Sequence, residues 1–159
     1  EAYGAGTLAV ALTPDFHATP LWSAQGTGFY LMTPVTSQGC LFGFSGQNQR
    51  LAELVCLDFA TGRQLWRSDL GGRFQRGTLL AVDGAFLCLG ETGRIAWLAL
   101  SPQGHSVLAE AQLFPAPETW ALPALSRGLL YVSQNAPTAK GESPRLICFD
   151  LRGPSLGRP

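Results

Sequence analysis

Gly39, Gly84 and Gly128 each sit in the middle of the same short pattern, an apolar run, a turn and a second apolar run, and they stand 45 and 44 residues apart. The three copies are Pro34-Val35-Thr36-Ser37-Gln38-Gly39-Cys40-Leu41-Phe42, Leu79-Leu80-Ala81-Val82-Asp83-Gly84-Ala85-Phe86-Leu87 and Pro123-Ala124-Leu125-Ser126-Arg127-Gly128-Leu129-Leu130-Tyr131. Each reads as a β-hairpin, because a tight turn between strands needs positive φ, which glycine adopts at little cost; Asp83-Gly84 is among the strongest such signals. Pro34 and Pro123 both stand five residues before their glycine. That is the start of a strand, where a missing N–H harms the ladder least.

A second pattern alternates with the first. Leu54-Val55-Cys56-Leu57-Asp58-Phe59-Ala60-Thr61-Gly62-Arg63-Gln64-Leu65-Trp66 reads as strand, turn and strand. The Asp58 carboxylate can accept hydrogen bonds from N–H groups ahead of it, and Gly62 can take the left-handed conformation. A weaker copy runs from Ile95 to Leu108, with Gly104 in the turn and Val107-Leu108 in the place of Leu65-Trp66. Leu146-Ile147-Cys148-Phe149-Asp150 repeats Leu54 to Asp58 at a distance of 92, and Leu21-Trp22 precedes Leu65-Trp66 by 44.

One four-stranded sheet cannot cover both its faces, so a repeat of this length with four short strands points to stacked propeller blades. The expected fold is all-β, a partial β-propeller of about three four-stranded antiparallel blades. Its units are a half blade over residues 7–22, blades over 30–70 and 77–113, and most of a blade over 120–152, within one partial propeller spanning 1–159. Trp22 and Trp66 are expected to pack between adjacent blades, where burying a large ring contributes most.

Composition agrees with a turn-rich β protein: 46% of residues are hydrophobic, 19 are glycine, and charged residues are 14%, against about 25% in an average domain. A net charge of zero leaves no electrostatic footprint for nucleic acid. No apolar run is long enough to be a membrane-spanning helix. Cys40, Cys56, Cys88 and Cys148 are widely spaced, each inside an apolar segment, and read as buried small hydrophobes, not as a zinc site or disulfide framework. Glu91 and Glu110 stand as single carboxylates without partners in sequence, and His17 and His105 lie in turn-like segments. No catalytic residue and no metal ligand is assigned.

The run Leu57-Asp58-Phe59-Ala60-Thr61-Gly62-Arg63-Gln64-Leu65-Trp66 resembles the repeat of PQQ-type quinoprotein propellers, with its Leu-Asp-x-x-Thr-Gly-x-x-x-Trp pattern. Asp58, Thr61, Gly62 and Trp66 carry that signature, with Gly39, Gly84 and Gly128 as the hairpin glycines. The segments around Met32-Thr33-Pro34-Val35 and Trp120-Ala121-Leu122-Pro123 are similar to bacterial PQQ-like repeat proteins, related in blade architecture to the lipoprotein propeller of the outer-membrane assembly machine. The resemblance implies a periplasmic or cell-envelope location.

It does not carry over the quinone chemistry, since this chain has no adjacent cysteine pair and no assignable calcium ligands. The expected function is therefore a non-catalytic scaffold for protein or cell-envelope interaction, with no cofactor. The alternative is part of a PQQ-dependent oxidoreductase using calcium, whose site lies mainly in other blades; Glu118 and Trp120, just ahead of Pro123, are then the channel-mouth candidates for cofactor binding. Propellers close with about four to eight blades. The first expected partners are thus the remaining blades of the same propeller, the chain reading as a C-terminal portion that ends in the Gly- and Pro-rich tail Arg152 to Pro159. A protein partner is also expected, and closure by homo-oligomerisation is the other route to a ring.

Overall fold

The computed structural model describes residues 4–30, 32–46 and 52–152. The tail beyond Arg152 lies outside the described residues. In chain order the strands are β1 (Thr7–Leu12), β2 (Ala18–Ala24), β3 (Val35–Ser37), β4 (Cys40–Ser45), β5 (Glu53–Asp58) and β6 (Gln64–Ser68). A short helix, α1 (Leu70–Phe74), follows. The strands then continue as β7 (Thr78–Val82), β8 (Ala85–Leu89), β9 (Arg94–Ser101), β10 (Gly104–Gln112), β11 (Ala124–Ser126), β12 (Leu129–Gln134) and β13 (Arg145–Asp150).

They form four antiparallel sheets in strict sequence order: β1-β2, β3-β4-β5-β6, β7-β8-β9-β10 and β11-β12-β13. The chain is a partial β-propeller. Its second and third sheets are complete four-stranded blades, and their first strands, β3 and β7, lie against each other.

The three repeated glycines each close a two-residue hairpin, joining Ser37 to Cys40, Val82 to Ala85 and Ser126 to Leu129. Both central residues have positive φ in every case: Gln38 at 50° and Gly39 at 71°, Asp83 at 47° and Gly84 at 81°, Arg127 at 50° and Gly128 at 75°. That is the type I′ requirement, whose twist matches that of the strands. Gln38 and Arg127 thus hold a conformation that long side chains rarely take, and the hairpin register imposes it.

The core lies between the sheets. Phe42, Phe44, Leu54 and Cys56 of the second sheet meet Leu79, Phe86, Cys88, Ala96 and Leu98 of the third. On its other face the third sheet offers Leu87, Leu89 and Ile95 to Leu130 and Val132 of the fourth. Strand β8 is therefore buried on both sides, Phe86 and Cys88 pointing one way and Leu87 and Leu89 the other, so its sequence is continuously apolar. Helix α1 caps the first of these layers through Leu70 and Phe74, its first turn accepting help from the Ser68 hydroxyl, which takes a hydrogen bond from Leu70 N at 3.1 Å.

The last strand of each sheet that has one carries a bulge at the same place. In β2 the register shifts between the partners of Ala9 and Val10, leaving Leu21 unpaired beside Trp22, which faces Ala9. In β6 Leu65 is left out beside Trp66, which faces Cys56. In β10 Leu108 is left out beside Ala109, which faces Trp97. The counterpart of Leu65-Trp66 in the third blade is therefore Leu108-Ala109, one residue later than the pair Val107-Leu108 read from the sequence. Side-chain spacing alone could not place the bulge, because one inserted residue moves every later side chain to the opposite face.

Both tryptophans reach across to the next sheet. Trp22 Nε1 donates to the Phe59 carbonyl at 3.0 Å, and Trp66 Nε1 donates to the Ser101 carbonyl at 2.8 Å. Three of the cysteines are buried as expected, and burial pushes the Cys56 thiol up to about 12, so it stays protonated. Cys148 departs from the expectation: it is exposed, because it sits on the face of β13 that turns away from the third blade.

Candidate functional site

A polar cluster centred on the buried Glu91 joins the third blade to the segment leading into the fourth sheet, with Arg76 partly buried and Trp120 38% exposed. Glu91 sits in the turn between β8 and β9, pinned by its own N–H to the Phe74 carbonyl at 3.0 Å, and its side chain is fully buried. Arg76, in the segment leading into β7, donates from Nε to Glu91 Oε2 at 3.1 Å and from Nη2 to Oε1. Trp120, in the segment leading into β11, donates from Nε1 to the same Oε1 at 2.6 Å. The Arg76 guanidinium carbon stands 5.0 Å from the Trp120 ring centre, a cation–π arrangement.

Arg76 is held above the usual arginine value, chiefly by its hydrogen bond to Glu91 and against the effect of burial; the charges of Glu91 and then Glu118 add to it. Of the two residues read from the sequence as channel-mouth candidates, Trp120 lies over the Arg76 guanidinium, and Glu118 acts on it through its charge. Glu91, which looked solitary in sequence, is the centre of the cluster. Arg76 and Trp120 both stand eight residues before their turn glycine, Gly84 and Gly128. That shared position is the signal from which the cluster could have been read.

The arrangement is mechanical in character. Both oxygens of Glu91 are engaged by donors of the chain, the indole N–H of Trp120 is committed, and one face of its ring is covered by Arg76. A carboxylate saturated in this way is a poor proton acceptor and a poor ligand for a further cation, whereas a buried ion pair bridged by an aromatic fixes two sheets in one relative position. Glu110 is likewise not solitary: it bridges Arg73 and Arg94 on the outer rim.

The repeat-signature residues Asp58, Thr61 and Gly62 form the turn between β5 and β6, and Trp66 follows in β6. Asp58 Oδ1 accepts from Thr61 N at 2.9 Å and from Thr61 Oγ1 at 2.7 Å. These bonds, the side-chain one first, hold the Asp58 carboxyl below its ordinary value. Gly62, at φ 72°, donates to the Asp58 carbonyl, and a β-carbon on it would overlap the Trp22 ring. Asp150 makes the corresponding turn at the end of β13, accepting from Arg152 N at 3.0 Å, with its carboxyl lowered to about 2 first by the Arg152 side chain.

His17 is exposed beside Asp15 at 3.3 Å, and His105 lies against the Trp66 ring with its Nε2 3.3 Å from Ser68 Oγ. Among the described residues no three His, Cys, Asp or Glu side chains gather as a metal-binding group, and no helix is long and apolar enough to cross a membrane.

Two sheet faces carry apolar side chains toward solvent. On β1, Leu8, Val10 and Leu12 alternate on the face turned away from the second blade. On β13, Leu146 and Cys148 face outward. In the second and third blades the equivalent faces are covered by a neighbouring sheet.

No protein-family model matches the sequence, and no curated protein does. Among solved structures the chain is similar to BamB from Moraxella catarrhalis, with a TM-score of 0.58 and 18% identity over 89% of this chain and 39% of BamB. The likeness is one of fold. The computationally designed Ika4 protein is matched with a TM-score of 0.47 and 12% identity, over 82% of this chain and 72% of that one. The chain thus spans about two fifths of the length of BamB.

Proposed function

We propose that the protein is a non-catalytic β-propeller scaffold for protein interaction at the cell envelope, its sheets stacking against further blades of one ring. The observation that carries this reading is the row of Leu8, Val10 and Leu12 on the outward face of β1. An apolar strip of this kind, on a sheet whose other face is packed, is what a docking surface for another sheet requires. The saturated Glu91 supports the same reading, since its carboxylate is spent on donors of the chain itself, Arg76 and Trp120. The envelope location rests on the resemblance of the repeat to PQQ-like bacterial propellers, and the BamB-like fold is in keeping with it.

Light scattering of the purified chain over a range of concentrations tests the docking face. The reading expects reversible association, lost when Val10→Lys and Leu12→Lys are combined, with the far-ultraviolet circular dichroism unchanged. A chain that stays monomeric at every concentration, with or without the two lysines, contradicts it.

A further inference from the structure

The bulge in each outer strand gives one internal comparison at three places. In the first two, the residue after the bulge is a tryptophan whose indole crosses to the next sheet and donates to a backbone carbonyl: Trp22 to Phe59, Trp66 to Ser101. In the third the same position is Ala109. The acceptor that a ring there would meet is also present. Leu151 follows Asp150 as Phe59 follows Asp58, and the two are held alike: Phe59 N donates to Gly39 O at 2.9 Å, and Leu151 N donates to Gly128 O at 2.8 Å.

The missing indole leaves space. Between the third blade and the fourth sheet lies a cleft of about 300 Å³, and Ala109, Trp97, Leu130, Phe149 and Leu151 line it. Its walls are predominantly apolar, although Asp150 and Glu110 reach its rim. Trp97, on the strand beside Ala109, takes the place of the small Cys56 of the second blade and forms one wall. In the third blade the large ring therefore stands on the third strand and not on the last, and the cleft lies beside it.

We propose that this cleft is a binding site for a small, flat aromatic molecule of indole size, whose N–H donates to the Leu151 carbonyl. Enclosed apolar cavities of about 150 Å³ are known to take up benzene; this open cleft is larger, and Leu151 offers an acceptor in the position of Phe59, which the Trp22 indole already uses. A free molecule fits better than a side chain of a partner protein. In both filled locks the ring hangs from the outer strand itself, and here that strand, β10, is in place with alanine; a partner's backbone would need the room β10 occupies.

Ligand-observed NMR titration of the full chain with indole, 1-methylindole and cyclohexanol tests this, alongside Ala109→Trp. Indole is expected to bind saturably, 1-methylindole about fivefold more weakly for loss of one hydrogen bond, and cyclohexanol not measurably. Ala109→Trp should abolish indole binding and raise the melting temperature. If that variant does not fold, Ala109→Leu, which fills less of the cleft, must still weaken indole at least about fivefold. Absence of saturable indole binding, equal affinity for indole and 1-methylindole, or unchanged affinity in a folded filling variant overturns the proposal.

Discussion

The Trp22 ring lies against Gly62, 40 residues on, at a spot where any β-carbon would overlap it. The turn glycine of the second blade is therefore held to its identity twice, by its φ of 72° and by the ring of the sheet before.

Gly84 is the natural control, because it has φ 81° but nothing within reach of an added β-carbon. Gly84→Ala should cost about 1–2 kcal/mol, the penalty of the left-handed conformation alone. Gly62→Ala should cost more, about 3 kcal/mol, since the ring must also move and its bond to Phe59 is lost. Denaturant midpoints of the two variants, compared at equal slope, measure the difference. Equal losses would mean that the Trp22 contact adds nothing.

Much of this architecture was legible in the residues. The period of the glycines and the Leu-Trp pairs carry the hairpins and the inter-sheet locks, because both depend on local turn chemistry and on one large ring. What the sequence concealed depends on register and on distance. The bulge at Leu108 hides behind an ordinary-looking Val107-Leu108 pair, so the loss of a lock tryptophan at Ala109 could not be seen without the pairing. Glu91 meets Trp120 across 29 residues and two sheets, and no spacing rule links a turn glutamate to the tryptophan of the next unit. Cys148 reads like Cys56 because its neighbours in sequence do, while burial is decided by whether another sheet lies over β13.

Arg76 and Glu91 form a buried pair in which removal of one member strands the other's charge. Arg76→Met should cost about 3–5 kcal/mol, and Glu91→Gln less, since the neutral amide can still accept from Trp120. The double variant should recover part of the loss of Arg76→Met. A double-mutant cycle by thermal unfolding checks this, and simple additivity of the two losses would show that the pair is not coupled.

Asp58 and Asp150 both titrate below their ordinary value of 3.8 in the folded chain, Asp150 at about 2. A carboxylate favoured by folding contributes stability that is complete above the unfolded value and is lost as pH falls through the folded one. Stability should therefore decline as pH drops below 3.8 toward about 2, and Asp58→Asn combined with Asp150→Asn should flatten that decline while lowering stability at neutral pH. Urea titrations at a series of pH values give the slope. An unchanged slope in the double variant would place the acid sensitivity elsewhere.

On the proposed scaffold reading, the chain holds surfaces in place and takes no part in quinone chemistry. Arg76 and the Trp120 indole N–H are both engaged by the Glu91 carboxylate. Isothermal titration of the full chain with PQQ and calcium, separately and together, tests this most directly. The scaffold account predicts no saturable heat from any combination; saturable binding that Trp120→Ala removes would contradict it and make the chain part of a quinoprotein site.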